Sequence, residues 1–187
     1  MNAPELNAIS DAVQSYFGRL TRQGVAVGST AGSSSNPDDL PEFDYTGMVA
    51  VSGAYRGCIY FTAPKLMLRY LLLAAGETLQ SDEVFLGTAG EIVQTIARNA
   101  RQQCGANLEI SAPFTLKGAG VRDTEVGRLL RAQPTTVICI QWQALLGALV
   151  VDLQAGEAGG QAGEAAGQAG ASGSSASSAA SSAAVSA

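Results

Sequence analysis

The run from Phe85 to Cys104, FLGTAGEIVQTIARNARQQC, sorts its residues onto two faces and so dictates what must surround it. At about 100° per residue, Phe85, Leu86, Ala89, Ile92, Val93, Ile96, Ala97, Ala100 and Cys104 form one broad apolar stripe, while Glu91, Gln94, Thr95, Arg98, Arg101 and Gln102 fall opposite. Such a helix needs an apolar layer beneath the first set and leaves the second to solvent or to a partner. Glu91 and Gln94 lie three apart and project from adjacent turns in one direction. A carboxylate beside a carboxamide on an exposed ridge can pair with a cation and orient a water. Both residues are also good helix formers, so residue types alone fit a plain surface helix equally well.

The rest of the chain supplies the layer. Residues 4–20, PELNAISDAVQSYFGRL, place Leu6, Ile9, Val13, Phe17 and Leu20 at helical spacing, which predicts a core-facing N-terminal helix. The following TRQGVAVGSTAGSSSNPDDLPEFD opens as a short strand and decays into a Ser, Gly, Asn and Pro loop. From Thr46 to Thr62, two β-branched and aromatic runs flank Ser52-Gly53-Ala54, the pattern of an antiparallel hairpin. Pro64 then opens a helix at a favoured first-turn position, and Gly76 closes it. Lys65 and Arg69 share its outer face, whereas Leu66, Met67, Tyr70, Leu71 and Ala74 are expected to pack inward. Asp82 and Glu83 suit the amino end of the next helix, where acids favour its dipole. Leu108 to Val121 reads as extended structure broken by Pro113 and Gly118. Thr136–Trp142 and Ala148–Leu153 read as strands joined through a Gln-Ala-Leu-Leu-Gly turn. This order predicts an α+β domain: a mostly antiparallel sheet covered on one face by two long central helices, plus the N-terminal helix.

Composition narrows the partners. The domain is expected to span residues 1–154. Residues 155–187, almost wholly Ala, Gly, Ser and Gln, hold too little apolar surface to offset chain entropy and are expected to form a disordered tail. A formal net charge of −5 argues against nucleic acid as a partner. No apolar run reaches membrane-spanning length, because Leu66–Ala75 is interrupted by Arg69. Met1–Ser10 lacks a basic start and an apolar core, so a cytoplasmic protein is expected. Cys58, Cys104 and Cys139 each sit inside an apolar run and read as buried free thiols rather than a metal framework. The acids Asp38, Asp39, Glu42 and Asp44 read as a solvated loop. The chain has no His, which removes His-dependent triads, most zinc sites and the commonest general base.

Several motifs in order carry a resemblance. Gly90-Glu91-Ile92, Asn99, and the later Ser111-Ala112-Pro113 with Gly118 resemble the motifs of the CheX and CheC family of chemotaxis phosphatases. Upstream, Tyr45-Thr46-Gly47, Val49–Gly53 and Gly57-Cys58-Ile59-Tyr60-Phe61 resemble its opening hairpin, and Pro64–Gly76 its first central helix. The resemblance covers roughly residues 44–153 and implies a two-component signalling phosphatase that hydrolyses the aspartyl phosphate of a CheY-like receiver domain. It implies that Glu91 makes a salt bridge to the regulator's active-site lysine and that Gln94 holds the attacking water. Thr95 and Arg98 would touch the partner, and magnesium would be supplied by the regulator, with no cofactor of the chain's own. Where the family has Asn this chain has Gln94, which sets the amide one methylene further from the helix. That departure supports a second reading, a non-catalytic module that only docks on receiver domains. A third is a structural subunit, since the apolar strands near the carboxyl end could pair across a two-fold axis as a homodimer.

The stripe makes a first prediction. Ile96→Asp buries an unpaired carboxylate and should cost several kcal/mol, whereas Arg98→Ala on the outer face should stay within about 0.5 kcal/mol. Chemical denaturation of the two variants measures the difference, and equal losses would refute the assignment of faces.

Overall fold

A computed structural model describes residues 3–21, 26–34, 40–104, 107–118, 135–142 and 144–155. In chain order these form α1 (Ala3–Thr21), β1 (Ala26–Ser34), β2 (Tyr45–Gly53), β3 (Tyr55–Ala63), α2 (Lys65–Ala74), α3 (Asp82–Cys104), β4 (Leu108–Ile110), β5 (Phe114–Lys117), β6 (Thr135–Trp142) and β7 (Leu145–Ala155). The strands make one seven-stranded antiparallel sheet in the order β1-β6-β7-β3-β2. Two short strands, β4 and β5, then share the outer edge of β2. The domain is thus α+β, with three helices among the described residues. The expected tail beyond Ala155, Asp38, Asp39 and residues 119–121 lie outside the described residues, as does the Cys104 side chain.

The alternation of β2 and β3 decides where the core sits. Tyr45, Val49, Val51, Ile59, Phe61 and Ala63 point to the helices and join Ile9, Val13, Phe17, Phe85, Ile92, Val93 and Ile96 in the main core. Met48, Cys58, Tyr60 and Val150 point the other way and form a second cluster with Leu40. The hairpin turns at Gly53, whose φ of 102° suits glycine, and the Ala54 N–H donates to the Asn107 carbonyl at 3.0 Å.

Gly47 sets the distance between sheet and helix. A Cβ there would lie 2.3 Å from the Ala89 carbonyl oxygen and 2.6 Å from the Gly90 nitrogen. Backbone therefore meets backbone, and α3 lies closer to β2 than a side-chain layer would allow. Beside this contact, Gly90 meets the sheet's edge, where an added Cβ would come 2.9 Å from Thr115 Cγ2 and 3.3 Å from Pro113 Cβ.

Four expectations need correction. The helix after Pro64 is only 10 residues, against 23 for α3, so the sheet is not covered by two long central helices of equal rank. The long helix beside α3 is α1, at 19 residues. On α2 the buried residues are Met67, Leu68, Leu71 and Leu72. Leu66 and Tyr70 are 47% and 43% exposed, and Ala74 is exposed as well, contrary to the inward set read from the sequence. The cause is a narrow seat: Met67 packs on Gly147 of β7, where a Cβ would lie 2.9 Å from its sulfur, and this turns the Leu66–Tyr70 flank outward. The Ser- and Gly-rich segment after Ala26 is a full nine-residue strand, because backbone pairing with β6 outweighs its weak strand propensity. The last strand also begins earlier than Ala148, at Leu145.

The Gly47 contact is testable. Gly47→Ala forces α3 and β2 apart and should lower stability by about 1–3 kcal/mol. Gly18→Ala, on α1 with nothing within 4 Å of the added carbon, should raise it by about 0.5–1 kcal/mol. Urea denaturation of the pair checks both signs.

Candidate functional site

The ridge read from the sequence lies on α3. Glu91, Arg98 and Arg101 are exposed, whereas Gln94 and Thr95 are half-buried rather than fully outward as the wheel suggested. Among the described residues the Glu91 carboxylate accepts no hydrogen bond and makes no ion pair, so it is available to an incoming cation. Gln94 follows Gly90 by four residues and so lies on the flank of α3 that faces Pro113 and Thr115. Glu91, three residues earlier, is its neighbour on the adjacent turn, on the side away from Pro113.

Each end of that geometry is anchored. At its amino end α3 is capped by Ser81, whose hydroxyl accepts from the Val84 N–H at 3.3 Å. Asp82 takes the Tyr45 hydroxyl at 2.5 Å on one oxygen and Lys117 Nζ at 2.5 Å on the other, tying the helix to β2 and β5. Lys117 first, then Tyr45, hold the Asp82 carboxyl below its ordinary range. Burial first, then the same hydrogen bond, push Tyr45 up to about 12. At the sheet edge, the Ser111 N–H donates to the Ala50 carbonyl at 3.0 Å, and the Ala50 N–H donates back to the Ser111 hydroxyl at 2.9 Å. The hydroxyl itself donates to the Ala112 carbonyl at 2.8 Å. These bonds fix the segment that presents Pro113 to Gly90. The Ser-x-Pro spacing therefore works as a clamp on the helix that carries Glu91 and Gln94.

The other flank of α3 belongs to α1. Phe17 stacks near Phe61 at 6.0 Å between centroids, Phe61 pairs with Gly47, and Gly47 abuts Ala89 and Gly90. At the opposite end, Glu5 and Ile9 line a cavity together with Ala97 and Ala100. The two helices hence run antiparallel, with Phe17 level with Gly90. This puts Tyr16 beside Glu91, and the tyrosine is pushed up to about 12, first by burial and then by the Glu91 charge. Sequence reasoning missed Tyr16. Its only signal was a place at the margin of the Ile9, Val13, Phe17 stripe, and the partner helix of that stripe was not legible.

Other candidates resolve differently. Cys58 is a buried free thiol, pushed up to about 12 by burial and then by Asp152, and Cys139 is half-buried. Asp44 accepts from the Lys65 N–H at 2.8 Å and so serves the start of α2. Among the described residues no cluster of His, Cys, Asp or Glu could hold a metal ion, and no helix is long and apolar enough to cross a membrane.

A long helix laid on an antiparallel sheet, with an exposed carboxylate beside a half-buried amide, defines the class: an α+β domain with its candidate site on one helix. Residues 45–131 match the family described as chemotaxis phosphatase CheX. Solved structures share the fold. A CheX from Borrelia burgdorferi, in a complex with CheY, BeF3 and Mg2+, is similar at TM-score 0.65 and 13% identity over 82% of this chain and 99% of that one. CheX from Vibrio vulnificus gives TM-score 0.64 and 16% identity over 81% and 100%. A CheC-like protein from Shewanella sp. PV-4 gives TM-score 0.63 and 12% identity over 82% and 99%. No curated protein matches the chain.

The Asp82 anchor carries a pH prediction. A carboxyl held below its ordinary range contributes stability at pH values above that range and loses it as pH falls through the folded-state value. Asp82→Asn should therefore be less stable than the unmodified protein near neutrality. That gap should close as pH drops below ~4. Denaturation midpoints at pH 7 and pH 3 decide it; a constant gap would mean that the carboxylate's charge is irrelevant.

Proposed function

We propose that the α3 ridge docks on the phosphorylated receiver domain of a response regulator and promotes hydrolysis of its aspartyl phosphate. The observation that carries this reading is the exposed Glu91 carboxylate, unpaired among the described residues and set beside the Gln94 amide on a helix held by Gly47, Gly90 and Pro113. Glu91 meets the regulator's active-site lysine. Gln94 orients a water for in-line attack on phosphorus: the new P–O bond forms, the bond to the aspartyl oxygen breaks, and phosphate leaves with a free carboxylate behind. Thr95 and Arg98 touch the partner around this centre. Positioning and charge supply the catalysis, and the magnesium belongs to the regulator. The complex of the Borrelia burgdorferi CheX with CheY lends support through a shared fold.

A second reading rests on Gln94. It is longer than the family's Asn and half-buried, which limits how it can retract. A misplacement of about half an ångström is enough to impair a catalytic group. The domain would then dock without turnover.

Binding and phosphate release separate the two. Glu91→Lys sets like charge against the lysine and should weaken receiver binding by at least tenfold, about 1.4 kcal/mol. With a receiver loaded by acetyl phosphate, Gln94→Ala should slow release by roughly ten- to a thousandfold while docking survives, and Gln94→Asn should raise it above the unmodified protein. Docking with no stimulation by the unmodified protein or by Gln94→Asn would leave the binding module; unchanged binding by folded Glu91→Lys would refute the ridge.

A further inference from the structure

The ridge has a member on a different helix. Phe17 is fixed at the level of Gly90 by its contact with Phe61 and the pairing of Phe61 with Gly47. The independent anchor at the other end puts Ile9 level with Ala97 and Ala100. Counting about 1.5 Å per residue, seven residues along α1 from Ile9 and six back along α3 from Ala97 cover similar lengths, roughly 10 Å. Both routes arrive at Tyr16 opposite Glu91. The ring is held, half-buried, edge-on to Phe17 at 5.3 Å between centroids and 83° between planes. Its hydroxyl has no hydrogen-bond partner among the described residues, yet it is not enclosed.

We infer that Tyr16 is a positioning residue of the docking site: its hydroxyl, without a hydrogen-bond partner among the described residues of the free domain, turns to donate to the Glu91 carboxylate when the receiver docks. This rests on the receiver-docking reading above and extends the site from α3 to α1. A phenol suits the place because it stays protonated throughout the physiological range, so it donates without adding charge. Arginine or lysine there would neutralise Glu91 before the partner's cation arrived. The ring's packing on Phe17 fixes the direction from which the donor approaches, and a carboxylate on a mobile side chain is thereby restricted to fewer orientations.

Two measurements test it. With 13C-labelled tyrosine followed by NMR, the Tyr16 pKa should fall when Glu91 is changed to Gln, and this readout needs no partner. Binding to a CheY-type receiver loaded with acetyl phosphate should weaken about threefold to tenfold in Tyr16→Phe, the size of one hydrogen bond, and Tyr16→Phe should add nothing once Glu91→Gln is present. An unmoved Tyr16 titration, or losses that simply add, would overturn the role given to Tyr16. Failure of the unmodified protein to bind any receiver would instead remove the docking reading and this role with it. The titration would then still report whether the two side chains meet.

Discussion

Everything in this domain follows from the closeness of Gly47 to the backbone of α3. With no side chain between them, the Ala89 carbonyl and the Gly90 nitrogen lie where a β-carbon would otherwise sit. The helix is thereby lowered onto β2, its apolar stripe reaches Val49, Ile59 and Phe61 directly, and its polar ridge is left at a fixed height above the sheet. Gly90 repeats the device sideways against Pro113 and Thr115. Two glycines, one on each partner, thus fix both height and lateral position. The function proposed for Glu91 and Gln94 rests on placement, and so on such rigidity more than on unusual reactivity.

Much of this was legible. The 3.6-residue period of Phe85–Cys104 gave the helix and its inner face, and Ile92, Val93, Ile96 and Ala100 are all buried. The Thr46–Thr62 hairpin and the stops at Pro64 and Gly76 rest on local chemistry, which a sequence displays openly. Contacts between distant segments were harder. Nothing in Leu66 or Tyr70 says that a glycine on β7 will seat Met67 and turn its neighbours out. Nothing in the Ser- and Gly-rich run after Ala26 announces a strand, since its stability comes from hydrogen bonds to β6 rather than from its own side chains.

The site divides the same way. Glu91, Arg98 and Arg101 were placed outside from helical angle alone, and they are exposed. Gln94 and Thr95 were placed there too, yet neighbouring elements half cover them. A helical wheel assumes solvent opposite the core; here the Pro113 segment rises on one flank and α1 on the other. The ridge is consequently open along Glu91, Arg98 and Arg101 and partly covered at Gln94 and Thr95.

The sheet's connectivity has a consequence for how the chain assembles. Tyr55 of β3 pairs with Ala155 of β7, and Ala26 of β1 pairs with Gln141 of β6. The central and outermost strands of the amino-terminal half therefore wait for the carboxyl-terminal hairpin before their backbones are paired. Contacts of such wide sequence separation slow folding, while the β2–β3 hairpin and α3 can form early from nearby residues. On a ribosome, the edge of β3, carrying Ile59 and Phe61, stays unpaired until β7 has emerged. It is during that interval, rather than in the finished fold, that this chain is most open to aggregation.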